Sequence, residues 1–189
     1  MSGLYLLGVI ALWLWLTRLM WKAWRRGRRA VNADRRRLWN ALAIVAGLLW
    51  FGASFWYGGG RKYYYDWQVE KLCAKDGGVK VYETVILSAE NFEHLRRRNF
   101  VLPDKSTATL ADEYYVDTDR HYFRQGNPEV SRTHYRIIRR SDQKILGELV
   151  FYGRGGGDLP GPWHGSSFTC PDPTQVHFET AIFVKGDEQ

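Results

Sequence analysis

In 189 residues there are only two cysteines and two methionines, and the first sixty residues hold a single acid, Asp34. No CxxC pair, HExxH helix, phosphate-cradling GxxxxGK loop or GxSxG turn occurs. The usual sequence grounds for a zinc site, a metalloprotease, a nucleotide-triphosphate site or a serine hydrolase are therefore missing, and no cofactor is expected. No cysteine precedes Cys73. Charge is missing just as clearly from two long stretches, and these set the first expectation.

The first stretch, GLYLLGVIALWLWLTRLMW, runs from Gly3 to Trp21 and carries no charge before Arg18. A helix of that length spans about 28 Å, close to the hydrocarbon thickness of a bilayer. The second, Leu38 to Tyr57, has Asn40 as its one strongly polar residue. Both are expected to span a membrane, at about 3–21 and 38–57. Trp21 and Trp39 flank the intervening residues, and Trp56 and Tyr57 close the far end, as expected of rings at the headgroup layer. Trp13, Trp15 and Trp50 fall inside the runs and are candidates for packing between the helices or against a partner. A cleaved signal peptide needs a basic segment ahead of its apolar core. Here the basic residues follow that core, so a retained anchor is expected.

Net charge is +7, which invites a nucleic-acid reading until the distribution is considered. Residues 18–37 contain nine basic side chains against Asp34, whereas 61–189 contain 18 basic and 19 acidic residues. The basicity belongs to one short stretch, and no nucleic-acid partner is expected. Arg25, Arg26, Arg28, Arg29, Arg35, Arg36 and Arg37 lie in a predicted loop, 22–37. Basic residues in short loops are retained in the cytoplasm. The expectation is a multi-pass protein of a bacterial inner membrane with both termini periplasmic and membrane lipid around the arginines.

Past Gly58-Gly59-Gly60 the composition changes, and 61–189 is long enough for one periplasmic domain. Both cysteines, Cys73 and Cys170, lie in it. In an oxidising compartment they are expected to pair. A helix is expected over Asp66–Lys75, stopped by Asp76-Gly77-Gly78, and a strand over Val79–Leu87. Ser88 is expected to cap a helix over Ala89–Arg97. Short strands are expected at Tyr114–Val116 and His121–Arg124 around a solvated turn, Asp117-Thr118-Asp119. Thr133–Arg140 and Lys144–Tyr152 flank Ser141-Asp142-Gln143 as a hairpin. Gly153–Ser167 reads as loop and Gln175–Val184 as a closing strand. The expected class is a two-span helical hairpin followed by an α+β domain, an antiparallel sheet with one or two short helices on one face.

Four weak constellations deserve weighing. Asp117 and Asp119, with Asp112, Glu113 and His121, fail the spacing of a calcium loop. Trp163 and His164, beside Ser166 and Cys170, could supply a base and a nucleophile, but a partner-binding loop anchored by Trp163 is the simpler reading. Arg154 in its glycine-rich stretch suits an anion, yet no helix start follows to complete a phosphate site. Arg132, Arg136 and Arg140 share one strand face by alternation, and the domain's acids are numerous enough to balance them.

The segments KLCAKDGGVKVYETVIL and GELVFYGRGGGDLPGPWHGSSFTCPDP resemble stretches of uncharacterised small bacterial envelope proteins with a lipid or transmembrane anchor. The likeness implies location and cysteine pairing and carries no activity. The functional expectation is a membrane-anchored domain that binds a membrane or periplasmic protein as an accessory subunit and is not an enzyme. Arg154, Trp163, His164, Trp13, Trp15 and Trp50 are its candidate contacts. An envelope immunity or phage-exclusion protein and an envelope hydrolase are the alternatives. Neighbouring genes would separate the first, and His164→Ala with Ser166→Ala the second.

Overall fold

A computed structural model describes residues 2–159, 161, 165–172 and 176–186. The chain divides into two compact units, Met1–Arg61 with Gly157–Gly165, and Lys62–Gly156 with Ser166–Gln189.

The first unit is built on a helical hairpin. α1 (Ser2–Ala30) has 29 residues, or about 43 Å of helix. A 3₁₀ turn (Ala33–Arg35) leads to α2 (Arg36–Phe55). Both helices are long and apolar enough to cross a membrane, and neither buries its apolar window inside the protein. The expected loop 22–37 is instead mostly helix. Lys, Arg and Ala are good helix formers, so the basic run extends α1 by more than two turns past Trp21. Close approach fixes the turn: a Cβ at Gly27 would lie 2.2 Å from the Trp39 ring. The Trp39 indole N–H donates to the Trp24 carbonyl at 3.3 Å.

Further along, two reciprocal chains of hydrogen bonds join the helices. The Trp13 indole donates to Ser54 Oγ (2.9 Å), whose hydroxyl donates to the Trp50 carbonyl (2.7 Å). The Trp50 indole donates to Thr17 Oγ1 (3.2 Å), whose hydroxyl donates to the Trp13 carbonyl (2.8 Å). Each hydroxyl thus satisfies an indole and a carbonyl at once, which matters where water is scarce. After α2 a π-helical segment, Trp56–Gly60, contains Gly59 at φ 141° and leads into α3 (Arg61–Asp76).

The second unit is an antiparallel sheet with helices on both faces. Its strands are β1 (Gly78–Val81), β2 (Val85–Leu87), then, after α4 (Ala89–Arg97), β3 (Tyr114–Arg124), β4 (Glu129–Arg139), β5 (Lys144–Gly155) and β6 (Ser167–Cys170). The main sheet runs β1-β5-β4-β3, and β6 also pairs with β5. β2 pairs in parallel with β7 (Phe183–Lys185), which follows α5 (Phe178–Ile182).

Several expectations change here. Val79–Leu87 is two strands in two sheets, because the Tyr82 and Glu83 N–H groups both turn onto the Leu146 carbonyl (2.8 and 3.0 Å). Asp117-Thr118-Asp119 is the middle of an 11-residue strand, paired with Arg136, Tyr135 and His134. β5 runs on through Gly153–Gly155 into the expected loop. The expected closing strand contains α5, since Phe178 and Ile182, buried at 2% and 0% exposure, are four residues apart and serve a helix as well as a strand. The cap at Ser88 is as expected, its hydroxyl accepting from Asn91 N–H at 3.4 Å.

Helices occupy both faces because strand side chains alternate. Val150 and Tyr152 of β5 pack with Val69 and Cys73 of α3, while Leu149 points to the other cluster, with Phe178, Ile182 and Phe183. An extra residue in β5, Leu146, lies between the pairs Ile137↔Gly147 and Ile138↔Ile145 and turns inward to that second cluster. Gly147 makes room for α5, since a Cβ there would sit 2.7 Å from Ile182. A disulfide joins Cys73 to Cys170 across 97 residues of sequence.

Candidate partner-binding surface

β3 is an edge strand. Its first part is covered: Val116 N–H donates to the Pro103 carbonyl (2.9 Å) and Lys105 N–H to the Val116 carbonyl (2.7 Å). From Thr118 to Arg124 no strand pairs with its outer side among the described residues. Asp119 through Arg124 are all exposed. An open edge presents unpaired backbone donors and acceptors, and Arg120 and Arg124 are the kind of charge that limits indiscriminate pairing there.

Beside this edge lies a cleft of about 550 Å³ between α3 and the end of β3, lined by Tyr65, Trp67, Lys71, Leu72, Phe123 and Arg124. Helical spacing produces it. Tyr65, Val69, Leu72 and Cys73 form the sheet-facing stripe of α3, and Trp67 and Lys71 sit one turn apart at its margin. Trp67 and Phe123 remain 49% and 50% exposed, large values for rings of that size in a domain with its own core. Lys71 Nζ lies 3.8 Å from the Trp67 ring centre and the Arg124 guanidinium 5.1 Å from that of Tyr65. Phe123 stacks on Tyr152 at 6.1 Å. The cleft is thus aromatic with two cations at its rim, suited to an aromatic or acidic side chain.

Two polar clusters, the first partly exposed and the second buried, hold the elements around it. Tyr152 donates its hydroxyl to Asp76 (2.6 Å), and Arg132 donates to the other Asp76 oxygen (3.0 Å). The hydrogen bond from Tyr152, with Arg132 beside it, holds the Asp76 carboxyl below its ordinary value, while burial pushes the Tyr152 phenol up. The second cluster centres on Arg154, 2% exposed. Its guanidinium donates to Asp66 (2.5 Å), to the Ser166 carbonyl and hydroxyl (3.0 and 3.2 Å), and to the Gly156 carbonyl. Arg154 was expected at a contact surface. It is an internal bolt between α3, the end of β5 and the segment before β6, because a planar fork with five donors can satisfy four acceptor groups at once.

Other candidate residues are dispersed. Trp13 and Trp50 each donate a hydrogen bond to the opposite helix of the α1–α2 pair, whereas Trp15 is 56% exposed on the outside. Arg25, Arg26, Arg28 and Arg29 lie on the last turns of α1, Arg35 in the 3₁₀ turn, and Arg36 and Arg37 on the first turn of α2. Trp163 and His164 lie outside the described residues. Of their suggested catalytic neighbours, Cys170 is in the disulfide and the Ser166 hydroxyl accepts from Arg154. The acids near β3 are separately engaged. Asp117 accepts from Arg136 at 2.6 Å, and Asp112 binds the Thr109 N–H and hydroxyl, both at 2.7 Å. Those two bonds lower the Asp112 carboxyl. The expected arginine face is matched likewise, with Arg132 on Asp76, Arg136 on Asp117 and Arg140 on the Asp112 carbonyl.

Sequence reasoning missed the cleft. It broke β3 before His121, so Phe123 and Arg124 had no neighbour. Reading Tyr114 to Arg124 as one strand would have brought Phe123 to the sheet edge. No known protein family, curated protein or solved structure matches this chain.

Proposed function

We propose that this chain is a membrane-anchored, periplasmic protein-binding subunit of a bacterial inner-membrane or envelope complex. In this reading α1 and α2 cross the bilayer, the arginine-rich turn stays in the cytoplasm, and both termini and the sheet domain lie outside. The charge of the turn supports that orientation. The Cys73–Cys170 disulfide suits an oxidising compartment.

One observation carries the binding role: the unpaired Thr118–Arg124 edge runs beside an exposed aromatic cleft with cationic rims. A partner segment adds as a strand to β3 and sets an aromatic or acidic side chain among Tyr65, Trp67 and Phe123. Backbone bonds supply affinity and the cleft supplies specificity.

The test is photo-crosslinking in intact cells with a benzophenone amino acid at Tyr122, compared with the same probe at Tyr82 on the other edge. A discrete crosslinked protein at Tyr122, abolished by Phe123→Asp, is the expected result. Equal crosslinking at both positions, or none beyond lipid, overturns the proposal.

A further inference from the structure

The hairpin contains a groove that the protein-binding role does not use. It has a volume of about 670 Å³ and lies between α1 and α2, with Thr17, Trp21, Trp24, Asn40, Gly47 and Phe51 among its walls. Beyond Thr17, whose hydroxyl already accepts from Trp50 and donates to the Trp13 carbonyl, its lining is apolar except at one end. There the Trp24 ring nitrogen and the Asn40 side-chain oxygen are shielded from solvent and have no hydrogen-bond partner. A donor and an acceptor left open at the same end of an apolar groove are costly unless a ligand meets both.

Three features identify the occupant. The polar end coincides with the basic end of the hairpin, where the Arg28 guanidinium lies 5.6 Å from the Trp24 ring centre. The groove's length is the second. Asn40 to Phe51 is about 16 Å of helix, one leaflet's share of a hydrocarbon core of about 30 Å. Third, the far end is closed where the Trp13–Ser54 and Trp50–Thr17 hydrogen bonds clamp the helices together.

We infer that this groove is a site for one anionic phospholipid with a hydroxyl-bearing headgroup, of the phosphatidylglycerol class. An acyl chain lies along Gly47 and Phe51 and ends at the clamp. The Trp24 N–H donates to a phosphate or ester oxygen, a headgroup hydroxyl donates to Asn40 Oδ1, and Arg28 balances the phosphate charge. Basic pockets between helices on the cytoplasmic side are suited to such headgroups.

Native mass spectrometry of the full-length chain, released from bilayer discs containing equal phosphatidylglycerol and phosphatidylcholine, reads this directly. One retained phosphatidylglycerol per chain is expected, preferred at least about tenfold over the zwitterionic lipid. Trp24→Phe keeps the ring, removes the donor, and is expected to lower retention about tenfold. Gly47→Leu fills the groove from a position where an added Cβ meets nothing within 4 Å, so the hairpin keeps its helicity by circular dichroism while lipid is lost. If Trp24→Phe unfolds the hairpin, Gly47→Leu decides the matter. Equal retention of both lipids, undiminished retention in folded Gly47→Leu, or a lipid-free dimer overturns the inference. Displacement by soluble glycerol phosphate also overturns it, because the acyl chain would then contribute nothing.

Discussion

The Trp13 indole N–H and the Ser54 hydroxyl meet at 2.9 Å across 41 residues of sequence, and Ser54 passes the interaction on to the Trp50 carbonyl. Interhelical hydrogen bonds in membranes contribute about 0.6 kcal/mol on average and up to about 1.7 kcal/mol. Ser54→Ala and Thr17→Val are each expected to lower hairpin stability by about 1 kcal/mol in detergent. Because the two hydroxyls serve the same pair of tryptophans, the double variant should lose less than the sum. Denaturant titration followed by tryptophan fluorescence measures it. Strict additivity would mean that the two bonds act separately.

Arg154 is almost wholly buried and Asp66 is its only acid partner among the described ion pairs, with side-chain exposures of 1% and 20%. Asp66→Asn leaves a buried cation without its counter-charge and is expected to cost about 3–5 kcal/mol. Replacing both, Arg154→Met with Asp66→Leu, removes the orphan and should recover much of that loss. Urea unfolding of the intact chain in mild detergent compares the three. A single Asp66→Asn variant as stable as the parent would show that the Gly156 and Ser166 oxygens alone suffice to hold Arg154.

The depressed Asp76 carboxyl couples folding to acidity. A group whose pKa is lower in the folded state contributes stability above its unfolded value, about 3.9 for Asp, and loses it as pH falls through the folded value. Tyr152 supplies the largest lowering contribution. Tyr152→Phe is therefore expected to move the onset of acid unfolding to higher pH and leave the slope near neutrality unchanged. Circular dichroism between pH 2 and 7 checks this, and an unaltered acid limb would assign the effect to Arg132.

Tyr114 gives the opposite limb. Burial, and secondarily Glu113, push its phenol up to about 12. Its neutral form is favoured by folding, so its contribution is complete below the unfolded value, about 10, and fades as pH rises toward 12. Tyr114→Phe should flatten that alkaline loss. The Tyr114 ring also lies edge-on to Phe183 at 5.0 Å, a contact that Phe preserves. A measured alkaline slope identical to the parent's would remove Tyr114 as its source.

The disulfide gives a test of compartment and stability together. Cross-linking residues 97 apart is valued at up to about 4.7 kcal/mol by chain entropy. Cys73→Ser with Cys170→Ser is expected to lower the unfolding midpoint, and the parent should change gel mobility on reduction. If alkylation of whole cells under oxidising conditions labels both thiols, the domain faces the cytosol and the proposed orientation reverses.

What the sequence disclosed was local in cause. Ser88 ahead of Ala-Glu-Asn announced a cap, and Ser141-Asp142-Gln143 between two β-rich runs announced a turn, because both depend on neighbours a few residues away. The break at Tyr82 could not be read, since it answers to the Leu146 carbonyl on a bulged strand. Asp117 looked like a turn acid because Arg136, its partner across the sheet, is 19 residues away. Val176, Phe178 and Ile182 satisfied alternation, but Phe178 and Ile182 alone also satisfy one helical turn, and packing against Gly147 chose the helix. Arg154 sat in a stretch where six glycines suggested looseness. The acid that buries it is Asp66, 88 positions away.

The parallel pairing of Val85–Leu87 with Phe183–Lys185 closes the second unit with residues made nearly a hundred positions apart. Leu87 and Phe183 share one apolar cluster, so a nascent chain that stops short of residue 183 has a greasy seam with nothing to seal it. On the proposed topology the polypeptide is threaded outward as an open strand while translation continues. The seam then stays open until residue 183 has crossed to the far side of the bilayer, which leaves this domain dependent on whatever shields unfinished chains there.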